Sequence, residues 1–481
     1  MAINLSNVTF TDQDDIVPAS GVEPISVSFF TTINTLAGND IINGGNNGIL
    51  DTPSSGYSFN NISSTINTNS GNDLITGIYN PQINVFSPFG AIVNWGHPED
   101  GVYAAINMGE GNDTITGILN SLNDSFSGGI GIYNVRATID TSDGSDIITG
   151  IGGTYGILTE LATLDTGNGD DIITATGGDT GIDSRVSTTI NTGGGNDIIT
   201  ATGGGHGILL LSGAIDTGEG NDIINGTADD GSGLVFLTAD FSNVESRINT
   251  GEGDDIITGT GNGTIYGYFG IASTYIDTGN GDDTISGTTN GYYGIASNYI
   301  DTGNGDDIIS GTGSGFGIAS YNTLESGEGN DIITSNGVIY NEGIINTGNG
   351  NDSIIVEGTG TGYGIYNNGG AINMGEGNDS ITANEGFESA ENSSGAWFLG
   401  EGEDYIKGYG SGDFYGGNGN DTLELTPGTY SVGIWGEGWD TSAILTKGDQ
   451  LMITSEFEKL KAGGITYDFA SLTAGQIIIV A

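Results

Sequence analysis

The chain of 481 residues has no cysteine, which removes disulfide frameworks and thiolate metal sites from consideration. Proline is scarce, at 7 residues, and cations are scarcer relative to their opposites: 7 Lys and Arg stand against 61 Asp and Glu, for a net charge of −54. The arginines are Arg136, Arg185 and Arg247, and the lysines are Lys407, Lys447, Lys459 and Lys461. Nucleic-acid binding needs a basic footprint, so that class is excluded. An anionic membrane surface would repel the chain. No apolar run approaches the roughly 18 residues of a membrane span. The opening "MAINLSNVTFTDQDD" has neither a basic region nor a sustained apolar core and does not read as a cleaved secretory signal. The two histidines, His97 and His206, read as loop or corner residues, because no nucleophile stands beside either.

Glycine is what the chain has in excess, at 90 residues, and it is patterned. A net charge this large pushes a compact state apart by self-repulsion, so a cationic partner is expected to offset it. "IDTGNGDDTISG" at 276–287 returns as "IDTGNGDDIISG" at 300–311. Internal repeats of this kind set the architecture before any local reading. Aligned on the second acidic residue of that motif, fifteen blocks appear, anchored at Asp40, Asp73, Asp113, Asp146, Asp171, Asp197, Asp222, Asp255, Asp283, Asp307, Asp331, Asp352, Asp379, Asp404 and Asp421.

Each column of the block has physical content. Glycine stands two residues before every anchor, from Gly38 to Gly419. Four before, glycine is replaced only by Leu36, Asn69 and Ser142. Glycines at alternate positions suit a tight turn with positive φ. Ile or Leu stands two residues after each anchor. Seven before stands Ile or Leu until Trp397 and Phe414 take over. These alternations have the period of half-buried strands. A weaker Gly-Ile theme lies between blocks, as in "YGILTELATLD" (155–165) and "FGIASTYID" (269–277), and starts a further strand. One rung therefore reads as strand, acidic turn, strand, glycine-rich corner, strand. No rung buries its apolar face alone, so rungs must stack. The expected fold is all-β: a parallel β-helix or β-roll solenoid of about 15 repeats.

The block resembles the glycine- and aspartate-rich repeat of the RTX (repeats-in-toxin, hemolysin-type) calcium-binding proteins, G-G-x-G-x-D-x-U-x. Gly416-Gly417-Asn418-Gly419-Asn420-Asp421-Thr422-Leu423 is a full match, and most earlier blocks carry Thr at the first glycine. The resemblance implies Ca²⁺ held between stacked turns. Its ligands would be Asp113, Asp171, Asp197, Asp222, Asp255, Asp283, Asp307, Asp331, Asp352, Asp379, Asp404 and Asp421, with backbone carbonyls such as those of Gly279, Gly281, Gly303, Gly305, Gly417 and Gly419. Asp40, Asp73 and Asp146, whose blocks lack a glycine, and Asp413, in a degenerate turn, are weaker candidates. Asp282, Asp306 and Asn330, just before their anchors, should point outward. The family has two such turns per coil; here one is kept outside residues 397–425, which implies a single column of ions. Fourteen gaps with one divalent ion each would neutralise roughly 28 charges. Binding would then supply folding free energy.

The expected organisation is an N-terminal strand or cap (1–32), expanded calcium-binding repeats (33–396), RTX-like β-roll repeats (397–425) and a C-terminal cap (426–481). Insertions after Asp40, Asp73, Asp113 and Asp222 should form loops on one flank. The resemblance also implies type I secretion, with the tail "GGITYDFASLTAGQIIIVA" (463–481) serving as signal and cap. The expected role is structural, in a surface layer, matrix, adhesin or filament, outside the cell or on its surface. Its partners would be calcium and either other copies or a cell-surface polysaccharide. A polysaccharide-active lyase or epimerase is the alternative, but such an enzyme needs cations to stabilise developing charge, and three scattered arginines are few. A toxin would need an effector region for which the repeats leave no room. Corner aromatics, among them Tyr266, Tyr292, Tyr293 and Phe316, read as a stacked ladder before a sugar platform. Thr278, Thr302 and their counterparts could form an ice-binding array, though such solenoids place Thr between the turn glycines, where this chain has Asn, Glu or Gly.

Overall fold

The computed structural model describes all residues except 1–2, 18–24, 28–30, 45–58, 80–88, 97–102, 121–128, 239–245, 265–266, 358–361, 391–394 and 437–441. His97, Tyr266 and most of the expected insertion loops lie outside the described residues. The chain divides into two compact units, Met1–Gly263 and Thr264–Ala481.

In the first unit a rung supplies three strand segments, as in Ala137–Asp140, Ile147–Gly152 and Tyr155–Glu160, two of which join in Thr180–Asn191 and in His206–Asp216. Each pairs in parallel with its equivalent one rung away. Ile139 sits on Leu164, Ile148 on Ile173 and Ile157 on Ile182. The parallel solenoid expected from the repeat is the fold observed. Three columns of aliphatic side chains meet inside it. Leu164, Ile190 and Ile215 come from seven residues before the anchor. Ile173, Ile199 and Ile224 come from two after it. Ile182, Ile208 and Leu234 come from the Gly-Ile theme. All of them are fully buried. A residue in these columns packs against like residues above and below, so a parallel in-register stack turns sequence repetition into a continuous core.

The glycine of the Gly-Ile theme marks the closest approach of two walls. A Cβ on Gly156 would fall 2.5 Å from the Thr176 nitrogen, and one on Gly181 would fall 2.6 Å from the Thr202 nitrogen. Only a residue without a side chain admits that spacing. Polar atoms in the interior are also stacked. The side-chain amide of Asn61 donates to Oδ1 of Asn94 at 2.9 Å, and Asn94 donates to Asn134 at 2.9 Å.

The second unit repeats the pattern. Phe269–Asp277 lies on Tyr293–Asp301 with Ile271 on Ile295 and Ile276 on Ile300. The aromatic corner is a ladder. Phe269 and Tyr293 stack at 5.2 Å between ring centroids, and Tyr275 and Tyr299 stack at 4.6 Å with planes 4° apart. The strands change direction near the end: Gly428–Trp435, Ser442–Lys447 and Gln450–Ser455 pair antiparallel, and Ile477–Val480 pairs antiparallel with Gly428–Trp435. The stretch "SEFEKLKAG" holds the strand Lys459–Ala462. No helix of the described residues is long and apolar enough to cross a membrane.

Candidate metal centre

The turn is built by its glycines. Gly193 and Gly195 adopt φ of 87° and 139°, a backbone that L side chains rarely take. There is also no space for a side chain. A Cβ on Gly193 would fall 1.8 Å from the Gly167 carbonyl oxygen, and one on Gly195 would fall 2.1 Å from that of Gly169. Each turn thus rests its carbonyls on the α-carbons of the next. Leu36, Asn69 and Ser142, which replace the outer glycine, take the same left-handed conformation, with φ of 73°, 73° and 64°. The missing glycine therefore does not block the turn, and Asp40, Asp73 and Asp146 stand in the same column as the other anchors of the first unit.

Within each unit the anchors form a hydrogen-bonded column. In the first, the backbone N–H of each anchor from Asp40 to Asp222 donates to Oδ1 of the next, as in Asp113 to Asp146 at 2.7 Å, Asp171 to Asp197 at 2.8 Å and Asp197 to Asp222 at 2.8 Å. The second unit shows the same link from Asp283 to Asp307 at 2.8 Å and on through Asp331, Asp352, Asp379 and Asp404 to Asp421. A second ladder runs the other way one residue earlier. Asn196 N–H donates back to Asp170 Oδ1 at 2.8 Å, and Asn330 N–H donates back to Asp306 Oδ1 at 2.7 Å. Asp282, Asp306 and Asn330 are exposed, so these side chains face outward and also cap backbone.

The anchor carboxylates are almost wholly buried, with exposures of 0–2%. Oδ2 of Asp40, Asp73, Asp113, Asp146, Asp171, Asp197, Asp222, Asp307, Asp331, Asp352, Asp379, Asp404 and Asp421 is buried without a hydrogen-bond partner. A buried oxygen of this kind carries the full cost of desolvation. Burial, and then neighbouring column carboxylates, push the acid dissociation of Asp113 up to about 8. The same two causes bring Asp171, Asp222, Asp331 and Asp379 to about 7. Burial brings Asp146, Asp197, Asp307 and Asp421 to about 6. The N–H of the preceding anchor and, in several turns, the hydroxyl five residues earlier pull the other way, as Thr166 does for Asp171.

The hydroxyl column bears out the objection to an ice-binding array at these positions. Thr278, Thr302 and their counterparts are fully buried beneath the turn, so they form no surface array. Thr302 instead donates to the carbonyl of Ser326 at 3.3 Å.

Two members of the column escaped sequence reading. Asp15 N–H donates to Asp40 Oδ1 at 2.9 Å, and Asn39 N–H donates to Asp14 Oδ1 at 2.8 Å. The stretch "DDIV" at 14–17 repeats the end of the block, but Gln13 and Thr11 hold the glycine positions. In the second unit Glu458 Oε2 accepts from Asp421 N–H at 2.8 Å, and Leu460 lies on Leu423. Asp413 is not brought into the column. It stands in the strand Gly412–Gly419, opposite Ala396 and Ile453.

Among the described residues no three Asp, Glu or His side chains converge as a metal cluster. An ion in the column would meet one or two carboxylates and would need backbone carbonyls to complete a shell of six to eight oxygens. Not every turn carbonyl is available: that of Gly303 accepts Glu328 N–H at 3.1 Å. Gly279, Gly281, Gly305, Gly417 and Gly419 occupy equivalent turn positions with positive φ. The described histidine, His206, opens the strand His206–Asp216. Burial lowers its pKa, against Asp179 and Asp183.

No protein-family model matches the chain, and no curated protein matches it. Among solved structures it is similar to a hyperactive, Ca²⁺-dependent, β-helical antifreeze protein from an Antarctic bacterium, with 20% identity over 79% of this chain and 82% of that one, at a TM-score of 0.36. At that identity and score the likeness bears on neither site nor function.

Proposed function

We propose that the chain is a calcium-binding β-solenoid of the RTX type with a structural role, stabilised by ions between successive turns. The observation that carries this is the column of buried carboxylates whose Oδ2 atoms lack partners, in a chain with 7 basic residues to 61 acidic ones. Buried like charges 17 to 40 residues apart in sequence but adjacent in space must be protonated or neutralised by a cation. A hard, oxygen-seeking ion suits carboxylate and carbonyl donors without nitrogen or sulfur.

When bound, calcium supplies positive charge and oxygen coordination between rungs. The chain supplies the rest. Glycines bring carbonyls onto the stacking axis, the anchor N–H groups hold each Oδ1, and the aliphatic columns fix the rungs in register. The anchors are sealed from solutes, which favours a structural over a catalytic role. Sites of this kind tuned to about 10⁻⁴–10⁻³ M would fill outside the cell and stay empty inside it. That fits a surface-layer, matrix, adhesin or filament subunit exported by type I secretion.

Isothermal titration of the chelated protein with calcium tests the reading, with circular dichroism followed alongside. Saturable binding of many ions with a gain of β-signal is expected. Absence of calcium uptake at millimolar concentration, with β-structure already complete in chelator, would overturn it.

A further inference from the structure

The strand that leaves each turn has a second face. Its buried side carries the core isoleucine, and its other side looks outward. In the unit Met1–Gly263 seven such strands of six residues lie in register, from Leu74–Tyr79 through Thr114–Leu119, Ile147–Gly152, Ile172–Gly177, Ile198–Gly203 and Ile223–Ala228 to Ile256–Gly261, and the shorter Ile41–Gly44 precedes them with Ile41 and Asn43 on the same side. Three outward positions per strand make three straight ranks. The first is isoleucine from Ile147 to Ile256, preceded by Leu74 and Thr114. The second is threonine from Thr76 to Thr258, with Asn225 the one exception. The third is Ile78, Ile118 and Ile151, then threonine from Thr176 to Thr260. None of these positions is charged or aromatic, in a chain whose residues are 14% charged. Ile147, Ile172 and Ile256 are 41%, 37% and 39% exposed.

Strand propensity accounts for β-branched residues here. It does not account for the missing charge, since a solvated strand face ordinarily carries Lys, Glu or Asp. We propose that this face binds ice. Four features lead to that occupant. The ranks repeat at the inter-strand spacing of about 4.8 Å, and only a partner that is itself periodic engages every member of a rank at once. Threonine offers a hydroxyl that both donates and accepts beside a methyl group, so a rank of threonines can bond to a lattice of water and pack against it. Charged side chains, which keep hydration shells of their own, are missing. So are aromatic rings, on whose faces sugar rings would stack, which disfavours a crystalline polysaccharide. A second copy is disfavoured too, because even with calcium bound each brings a large negative charge to the encounter.

The test uses the full chain in millimolar calcium, frozen slowly onto a cold surface, with protein assayed in the ice and in the remaining liquid. Two variants carry the same added charge on neighbouring elements: Thr174→Lys on the face and Asn168→Lys at the exposed turn. The wild type and N168K are expected in the ice. T174K is expected to lose its ice-bound fraction while circular dichroism and calcium uptake stay unchanged. Thr174→Val, which keeps the shape and removes one hydroxyl, should lose part of it. Exclusion of the wild type from ice would overturn the proposal whatever the variants do, as would T174K entering ice as fully as the wild type. Retention of the wild type on microcrystalline cellulose together with exclusion from ice would assign the face to a sugar polymer instead. A concentration-dependent dimer abolished by T174K, with exclusion from ice, would assign it to self-association.

Discussion

The backbone N–H of Asp171 donates to Oδ1 of Asp197 at 2.8 Å, while Oδ2 of the same Asp197 is buried with no partner. One oxygen of the carboxylate is committed to joining rungs, and the other is left for a cation. The two oxygens therefore have separable roles.

Asp197→Asn separates them. The amide keeps an oxygen for the Asp171 N–H and removes a buried charge. In chelator the variant should be more stable than wild type, by roughly 1–3 kcal/mol, because the desolvated anionic oxygen is gone. In saturating calcium the sign should reverse, and the number of bound ions should fall. Thermal melts with and without chelator, alongside a calcium titration, read both effects. A variant less stable in chelator would show that the carboxylate already has a partner there.

The pH dependence follows from the raised carboxyls. Asp113 is pushed up to about 8, and Asp171, Asp222, Asp331 and Asp379 to about 7, from an ordinary value of 3.8. The folded chain therefore holds more protons than the unfolded chain between about pH 8 and the ordinary carboxylate range. Without metal, stability should rise as pH falls through that window. Calcium competes for the same oxygens, so its affinity should fall over the same interval. Melting temperatures at pH 8, 7, 6 and 5 in chelator measure the first effect, and titrations at those pH values measure the second. A chelated protein that loses stability from pH 8 to 5 would contradict the column as described.

Gly195→Ala should be among the most damaging single changes. Its φ of 139° is unfavourable for alanine, and the new Cβ would meet the Gly169 carbonyl at 2.1 Å. Two stacked turns must separate, so a loss above about 4 kcal/mol is expected. Gly448→Ala is the comparison. Its φ is also positive, at 64°, but nothing lies within 4 Å of the new Cβ, so only the conformational penalty of about 1–2 kcal/mol applies. Equal melting temperatures for the two variants would refute the stacking argument.

Ser142→Gly should do the reverse. Ser142 holds φ of 64° where most turns have glycine, and relieving that strain is expected to stabilise by about 1 kcal/mol. The gain is limited because Ser142 Oγ and N–H both donate to Asp140 Oδ1, at 3.1 and 3.0 Å, and only the N–H bond survives. Chemical denaturation of variant and wild type measures the difference.

The repeat was legible because three constraints coincide in one short block: glycine for the turn, aspartate for the column and isoleucine for the core. Asp15 and Glu458 were not legible, since each keeps its place with only part of that set. Asp15 has "DDIV" without glycines, and Glu458 reaches the column on a longer side chain. The side on which the threonines before the turn lie was not legible, because alternation along a strand marks the two faces and does not say which is inside near a tight turn. Thr302 follows Ile300 at an interval of two, and both point inward. The uncharged outward ranks were overlooked for a related reason: an isolated "IITGTG" reads as ordinary strand, and only registering seven strands shows that charge is missing from the whole face.

The spacing between anchors has a consequence of its own. Asp73 and Asp113 are 40 residues apart and Asp404 and Asp421 are 17 apart, yet the column bonds measure 2.8 and 2.9 Å. The mark that sets the register is local to the turn, and chain length between marks leaves it untouched. Duplication or loss of one whole unit would leave every remaining junction intact. Length in this molecule could thus change by integral steps, and recombination between repeats would give shorter or longer chains whose turns still interlock.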